Sequence, residues 1–121
     1  MKSPAPERLD TVFAALSDPT RRAIVRRLAD GEATVLELAE PFPISLPAIS
    51  RHLKVLESAG LISRSRNGQH RPCRLRPEPL TEIVGWAEHT TTAWEQRLDR
   101  LEAHLRATTA ASPNPTTKDP R

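Results

Sequence analysis

Residues 45–57 carry the sequence Ser-Leu-Pro-Ala-Ile-Ser-Arg-His-Leu-Lys-Val-Leu-Glu, which has the pattern of a capped amphipathic helix. Ser45 is a favourable N-cap, and Pro47 is tolerated in the first turn of a helix, where its missing N–H has no intrahelical acceptor. Gly60 supplies the left-handed conformation that ends many helices. Three apolar residues converge on one side of the helical wheel and are expected to face a core: Ile49, Leu53 and Leu56. The pattern predicts a helix over residues 45–58.

The opposite side of this predicted helix carries side chains that are mostly short or cationic: Ser45, Leu46, Pro47, Ser50, Arg51 and Lys54. Arg51 is suited to bidentate recognition of guanine, and Lys54 to a phosphate contact. His52 lies at the flank of the wheel, where a phosphate contact and a packed, hydrogen-bonded structural role both stay open. Because such side chains allow close approach to base edges and phosphates, this face is a candidate DNA-contacting surface.

Two amphipathic helices are predicted near the N-terminus. Over residues 9–16 apolar residues recur at i, i+3, i+4 and i+7, as they do in an amphipathic helix: Leu9, Val12, Phe13 and Leu16. Asp18 is a good N-cap and Pro19 a good first residue for a second helix over residues 19–29. That helix is expected to bury Ala23, Ile24 and Leu28.

A short third helix is predicted just before the 45–58 helix. Thr34 and Glu37 match a capping box, in which each side chain accepts from a backbone N–H of the other residue. Pro41 and Pro43 follow and interrupt the helix after Glu40. Two short helices joined by a tight turn are typical of a helix-turn-helix.

A basic hairpin is predicted after Gly60. Its arms, residues 61–66 and 69–75, flank Asn67-Gly68, the strongest short signal for a two-residue turn. Pro72 limits the second arm to an edge strand, so the hairpin is expected to be the only sheet. The residues proposed to contact DNA from this wing are Arg64, Arg66, Asn67, Gly68, Gln69 and Arg71. The alternative is an exposed hairpin whose charge only keeps it soluble.

The last predicted helix is long and carries an apolar seam. From about residue 79 to residue 105, apolar or small side chains are spaced alternately four and three residues apart, as in a coiled coil. The first and last helices are expected to form a homodimer interface through Leu9, Val12, Phe13, Leu80, Val84, Ala87, Trp94, Leu98, Leu101 and Leu105. The alternative is that the seam packs within its own subunit. Residues 8–106 then form one domain, between a flexible leader (1–7) and a disordered tail (107–121).

The positive charge is concentrated in one block. The net charge is +3, whereas residues 45–76 alone carry seven Arg or Lys against one Glu, a balance of +6. A phosphate-binding surface segregates charge in this way, and a mixed solvated surface does not. The pattern favours a nucleic-acid partner.

Several classes of protein are excluded or disfavoured by the sequence. No stretch approaches 18 apolar residues, and residues 1–10 lack the apolar core of a signal peptide, so we expect a cytoplasmic protein without a membrane segment. The single cysteine, Cys73, cannot form an internal disulfide. Neither a Gly-rich phosphate loop nor a nucleophile elbow is present, so we expect no enzymatic activity and no cofactor.

Two segments resemble the ArsR/SmtB family of transcriptional regulators. Residues 15–28, Ala-Leu-Ser-Asp-Pro-Thr-Arg-Arg-Ala-Ile-Val-Arg-Arg-Leu, resemble the family's second helix, and residues 44–62 resemble its recognition helix. The resemblance implies a mostly α-helical winged helix-turn-helix fold. It also implies a homodimeric repressor that reads a pseudo-palindromic operator. The family's base-contacting positions fall here on Ser45, Leu46, Pro47, Ser50 and Arg51.

The chain departs from the metal-sensing members of that family. Residues 35–40 lack the Cys-x-Cys pair, and the carboxylates and histidines of the last helix do not reproduce the family's zinc-binding spacing. The resemblance therefore points to a non-metal-sensing branch, and a small-molecule effector stays open. The competing function is a winged-helix module that binds protein instead of DNA.

Overall fold

The structure is a computed structural model, and it describes residues 6–65 and 72–111. Within these ranges the helices are α1 (Pro6–Leu16), α2 (Pro19–Ala29), α3 (Val35–Ala39), α4 (Leu46–Ser58) and α5 (Glu78–Ala111). The strands are β1 (Ala33–Thr34), β2 (Ile62–Arg64) and β3 (Pro72–Leu75). The prediction of a mostly α-helical protein with a small β-hairpin, formed here by β2 and β3, is confirmed. The chain divides into two compact units, residues 1–84 and residues 85–121.

The helices start where the sequence places their caps. The Asp18 carboxylate accepts a hydrogen bond of 3.0 Å from the backbone N–H of Arg21 and caps α2. Thr34 and Glu37 form both hydrogen bonds of the predicted capping box at α3. Ser45 caps α4 by accepting from the backbone N–H of Ala48. Each cap satisfies backbone donors that have no partner within the helix.

The end of α4 is closed by Gly60, as predicted. Gly60 has φ of +78°, a conformation that L side chains rarely adopt. The N–H of Leu61 donates to Leu56 O and the N–H of Gly60 donates to Glu57 O, each at 3.0 Å. These two bonds form a Schellman motif. Leu61 and Leu56 are both fully buried, so the motif also turns the chain into the core.

The sheet has three strands, and the prediction of a hairpin alone was wrong. The strand order is β1-β3-β2, with Ala33 paired with Cys73 and Thr34 with Pro72. Pro72 therefore lies on the central strand and not on an edge strand. It is tolerated there because it is the first residue of β3, and its carbonyl accepts from the N–H of Ser65 at 3.0 Å.

The core of residues 1–84 is built where α1, α2, α3 and α4 meet the sheet. Ile49, Leu53 and Leu56 are completely buried, as the wheel of α4 predicts. In α2, Ile24 and Leu28 are buried, whereas Ala23 is exposed and Val25 takes its place in the core. Further buried side chains of the core include Val12, Ala15, Leu38, Leu61, Ile62 and Cys73.

The unit of residues 85–121 is described as far as Ala111, and its described part is helical throughout. The helix α5 extends to Ala111, beyond the predicted end at Leu105. The large apolar side chains of this unit that belong to the predicted seam are between 44% and 57% exposed: Trp94, Leu98, Leu101 and Leu105. None of the helices in the described ranges has the length and apolar character to cross a membrane.

Candidate nucleic-acid interface

The outward face of α4 is formed by the residues that the sequence singled out. Ser45, Leu46, Pro47, Ser50, Arg51 and Lys54 are all exposed. They share this face because Ile49, Leu53 and Leu56 fix the opposite side of the helix in the core. The buried apolar stripe thus orients the candidate contact residues toward solvent.

Two cations on this face have no anionic partner in the described part of the chain. Neither Arg51 nor Lys54 has an ion pair there, in contrast to Arg74 and Arg76, which pair with Glu32 and Glu78. Arg51 and Lys54 line a groove of about 610 Å³. The other residues of this groove come from α1, α2 and α4: Thr11, Ala14, Ala15, Arg21, Val55 and Ser58. The two cations are available to an anion that approaches α4.

The surroundings of His52 favour the structural role over a phosphate contact. Its side chain is 22% exposed, and its Nδ1 lies 3.2 Å from Nη1 of Arg21. The same nitrogen lies 3.9 Å from the Asp18 carboxylate. His52 therefore faces the N-terminal turn of α2 and does not share the outward face with Ser50 and Arg51.

The wing is described only at its base. Arg64, on β2, is half-buried, and its Nε lies 3.5 Å from Oε1 of Glu57 near the end of α4. The other residues predicted to contact DNA from the wing lie outside the described residues: Arg66, Asn67, Gly68, Gln69 and Arg71. Of the predicted wing contacts, the structure thus places only Arg64, and it places Arg64 in an ion pair with the recognition helix.

The residues predicted for a dimer interface fall into three groups. Leu9 and Leu80 are half-buried, and Phe13, Val84, Ala87, Trp94, Leu98, Leu101 and Leu105 are exposed. Val12 differs from both groups, because it is 1% exposed and packs in the core of its own chain. Val12 has almost no surface to offer a partner. The spacing of apolar residues in α1 predicts that Val12 faces inward. It does not show whether that face packs in the core of the same chain or against a partner.

Several transcriptional regulators are similar to this chain in sequence and in fold. A helix-turn-helix domain family matches residues 16–64. The HTH-type transcriptional regulator Rv2034 of Mycobacterium tuberculosis is 42% identical over 94 residues, which are 74% of this chain and 88% of that protein. The crystal structure of an ArsR family transcriptional regulator has a TM-score of 0.74 and 41% identity, and the match covers 78% of this chain and 97% of that one. This chain belongs to the ArsR family of transcriptional regulators.

A named repressor is also among the relatives of this ArsR-family protein. The transcriptional repressor SdpR of Bacillus subtilis is 42% identical over 78 residues, which are 64% of this chain and 87% of SdpR. The chain therefore spans most of the length of both curated relatives. The predicted resemblance to the ArsR/SmtB family is confirmed.

Two further features of the chain concern metal ligands and its single cysteine. No group of three or more His, Cys, Asp or Glu side chains able to hold a metal ion occurs in residues 6–65 and 72–111. Cys73 is fully buried on β3. Burial raises the pKa of its thiol, Arg64 lowers it to a smaller extent, and Glu57 raises it. Cys73 of this ArsR-family protein thus has the surroundings of a packed core residue.

Sequence reasoning missed one residue near the interface. Arg21 is half-buried, and its guanidinium lies between the end of α1 and His52 of α4. The local signal was the position of Arg21, three residues after the cap Asp18. That signal does not reveal the contact with His52, which is 31 residues further along the chain.

Proposed function

We propose that this ArsR-family protein is a homodimeric repressor that binds double-stranded DNA in a sequence-specific way. Its operator is a pseudo-palindrome, and its targets are its own operon or neighbouring genes. The observation that carries the proposal is the outward face of α4. On this face the cations Arg51 and Lys54 have no ionic partner in the described ranges, and the helix is anchored by a buried stripe. A helix presented in this way fits the major groove of B-DNA.

Each side chain of the face has a separate role in the proposal. Arg51 offers a planar pair of donors that matches O6 and N7 of guanine, so it is the primary specificity residue. Ser50 donates to or accepts from a neighbouring base, and Leu46 contacts a thymine methyl group. Lys54 binds a phosphate and fixes the register of the helix on the duplex. The wing residues around Asn67-Gly68 add minor-groove and phosphate contacts in this hypothesis.

The homodimer is proposed from the exposed apolar side chains of α5. Trp94, Leu98, Leu101 and Leu105 repeat at coiled-coil spacing, and each leaves about half of its surface in water. Complete burial of an exposed leucine is worth about 1.5–3 kcal/mol, and covering the exposed half is worth about half as much, so a second copy of the same helix is a favourable cover. Leu9 and Phe13 of α1 are also proposed to contact the second copy, and Val12 does not take part. A two-fold dimer presents two copies of α4, which accounts for a pseudo-palindromic operator.

The proposal places the protein in the cytoplasm, where bacterial DNA is accessible to a regulator. Its partners are duplex DNA and a second copy of the chain. A small-molecule effector is compatible with the proposal and is not required by it.

The decisive experiment measures binding to the DNA upstream of the protein's own gene as a function of salt. Protection mapping should locate a site with two half-sites about one helical turn apart. The logarithm of the binding constant should fall steeply with the logarithm of the salt concentration, because a phosphate binder releases counterions. Arg51→Ala should cost about 1–3 kcal/mol on that site and relax discrimination between bases.

A matched control and a competing function complete the design. Arg100→Ala removes the same charge from α5, at a residue to which the proposal assigns no DNA contact, and should leave binding close to wild type. The competing function is a winged-helix module that binds protein. It predicts negligible affinity for every duplex even at low salt, and that result would overturn the DNA-binding proposal.

A further inference from the structure

Three helices meet at the guanidinium of Arg21. Its Nε donates to Ala15 O at 2.6 Å, and its Nη2 donates to Ala14 O at 3.2 Å. The third nitrogen, Nη1, lies 3.2 Å from Nδ1 of His52 on the recognition helix. Its backbone N–H is held by the Asp18 carboxylate at the start of α2. Arg21 thus joins the end of α1, the start of α2 and the outer flank of α4.

The first two contacts position the third. The carbonyls near the C-terminus of α1 lack intrahelical partners and carry the negative end of the helix dipole, so a guanidinium is well placed there. Because the guanidinium is planar and its donors form a rigid fork, fixing Nε and Nη2 also fixes the direction of Nη1. The Nη1 donor is thereby aimed at His52.

The contact also selects one tautomer of His52. A guanidinium only donates hydrogen bonds, so Nδ1 of His52 accepts from Nη1 of Arg21 in this contact, and the ring proton lies on Nε2. A proton on Nδ1 would place two cationic donors against each other. The only counter-charge at the ring among the described contacts is the Asp18 carboxylate, 3.9 Å from Nδ1. The neighbouring charged residues of α4, Arg51 and Lys54, are cations and do not offset a positive charge on the ring of His52.

We propose that Arg21 is a positioning residue for DNA binding, which holds α4 at the angle required for the major groove through a neutral His52. Protonation of His52 exchanges the Arg21 contact for one with Asp18 and loosens α4 at its outer flank. This inference rests on the proposed function, since it assigns Arg21 and His52 a role in presenting Arg51 to DNA. It predicts an operator affinity that falls when the pH is lowered.

The sign of that effect distinguishes positioning from direct contact. If His52 bound a phosphate, a positive charge on its ring would strengthen binding as the pH falls. If His52 positions α4, the same proton removes a hydrogen bond, and affinity is expected to fall by about fivefold, the equivalent of one such bond. Histidine is the side chain that ordinarily changes charge between about pH 5 and pH 8, so the measurements span that range.

The experiment measures binding to the protected operator across that pH range at constant ionic strength, for wild type and His52→Asn. Asparagine keeps an acceptor oxygen near the position of Nδ1 and does not titrate. Its affinity near neutral pH should be close to that of wild type, and the fivefold loss at low pH should be absent. The other histidines are present in both proteins, so the difference between the two profiles reports on His52.

Arg21→Lys tests the other side of the contact, and Arg22→Lys is its matched control. Arg22 also donates to a carbonyl at the end of α1, Leu16 O, at 2.9 Å, but no hydrogen bond or ion pair joins it to α4 within residues 6–65 and 72–111. Arg21→Lys should lower operator affinity near neutral pH. In the Arg21→Lys background, the proteins with and without His52→Asn should give the same pH profile. Arg22→Lys should have neither effect.

The outcomes separate this inference from the proposed function. Identical pH profiles of wild type and His52→Asn, or equal effects of the two lysine variants, overturn the positioning role while DNA binding stands. If wild type binds no duplex at any pH, the proposed function fails and the positioning role fails with it. The Arg21–His52 contact itself is measured without DNA, from a double-mutant cycle of Arg21→Lys and His52→Ala in unfolding. A coupling near zero in that cycle also overturns the inference.

Discussion

Arg64 Nε lies 3.5 Å from Glu57 Oε1, so the first strand of the wing is tied to the last turns of the recognition helix. The two side chains are 24% and 29% exposed, which places the pair between a fully solvated and a buried one. The sequence groups Arg64 with the cations that contact DNA. The ion pair instead gives it a role in holding the wing against α4.

Arg64→Ala should therefore affect stability more than DNA specificity. The expected loss in the free energy of unfolding is at most about 1 kcal/mol, since partly exposed ion pairs contribute little. The loss of operator affinity should be smaller than that of Arg51→Ala. Urea unfolding and operator titration of the two variants measure both effects.

The matched variant Glu57→Gln breaks the ion pair but keeps the cation. It should destabilise the protein in the same direction as Arg64→Ala and should not weaken DNA binding through loss of charge. If Arg64→Ala left unfolding unchanged and cost as much affinity as Arg51→Ala, Arg64 would be a direct DNA contact.

Cys73 should react with alkylating reagents only when the protein unfolds. Its side chain is fully buried, and burial raises the pKa of its thiol, so the reactive thiolate is both rare and inaccessible. Iodoacetamide labelling, followed by mass spectrometry, should be slow in buffer and fast in urea. Comparable labelling rates in the two conditions would indicate an exposed, reactive thiol and contradict the burial of Cys73.

The caps and the buried stripe of α4 were predictable because their signals are local. Asp18, Thr34 and Ser45 each act within three residues of their own position, and Gly60 acts on the turn that contains it. The wheel of α4 is similarly a property of one segment. Such features follow from residue type and spacing alone.

The structural features that the sequence did not predict depend on contacts between segments that are distant along the chain. The strand β1 is only two residues long, which is too short for an alternating pattern, and it forms by pairing with β3 far along the chain. That pairing also makes Pro72 central. For Val12, periodicity shows that one face of α1 is apolar and does not show what covers it. Arg21 looked like one of four arginines in α2 until His52 was placed beside it.

The decrease in the free energy of unfolding at acidic pH should depend on Asp18. The backbone N–H of Arg21 lowers the pKa of this carboxyl below its ordinary value of 3.8, with further lowering by the charges of His52 and Arg21, while burial opposes the shift. A carboxyl with a depressed folded-state pKa contributes stability above its unfolded-state value, and this contribution is lost as the pH falls through the folded-state value. The loss should therefore begin near pH 4 and continue below it.

Asp18→Asn provides the measurement of this effect. Asparagine still accepts from the backbone N–H of Arg21, so the cap is kept and the titration is removed. Thermal unfolding of the variant should change less with pH below about 4 than that of wild type. Asp10→Asn removes an exposed carboxylate from α1 and serves as the control. If both variants followed the wild-type profile, the carboxylate of Asp18 would not be a source of the acid dependence.

The proposed dimer should be broken by one charge in the seam of α5. Leu98→Glu places a carboxylate among apolar side chains of the proposed interface, where burial of an unpaired charge is costly. Leu98 is 44% exposed in the single chain, so the substitution should leave the helix content of the monomer intact. Arg100→Glu introduces the same carboxylate two residues away, off the apolar seam, and should remain dimeric. Sedimentation at micromolar concentration measures the difference.

The monomeric variant should also lose affinity for the two-half-site operator far more than for an isolated half-site, because only a dimer binds both half-sites at once. If wild type itself sedimented as a monomer, the apolar side chains of α5 would need another cover, and the two-fold operator would lose its structural basis.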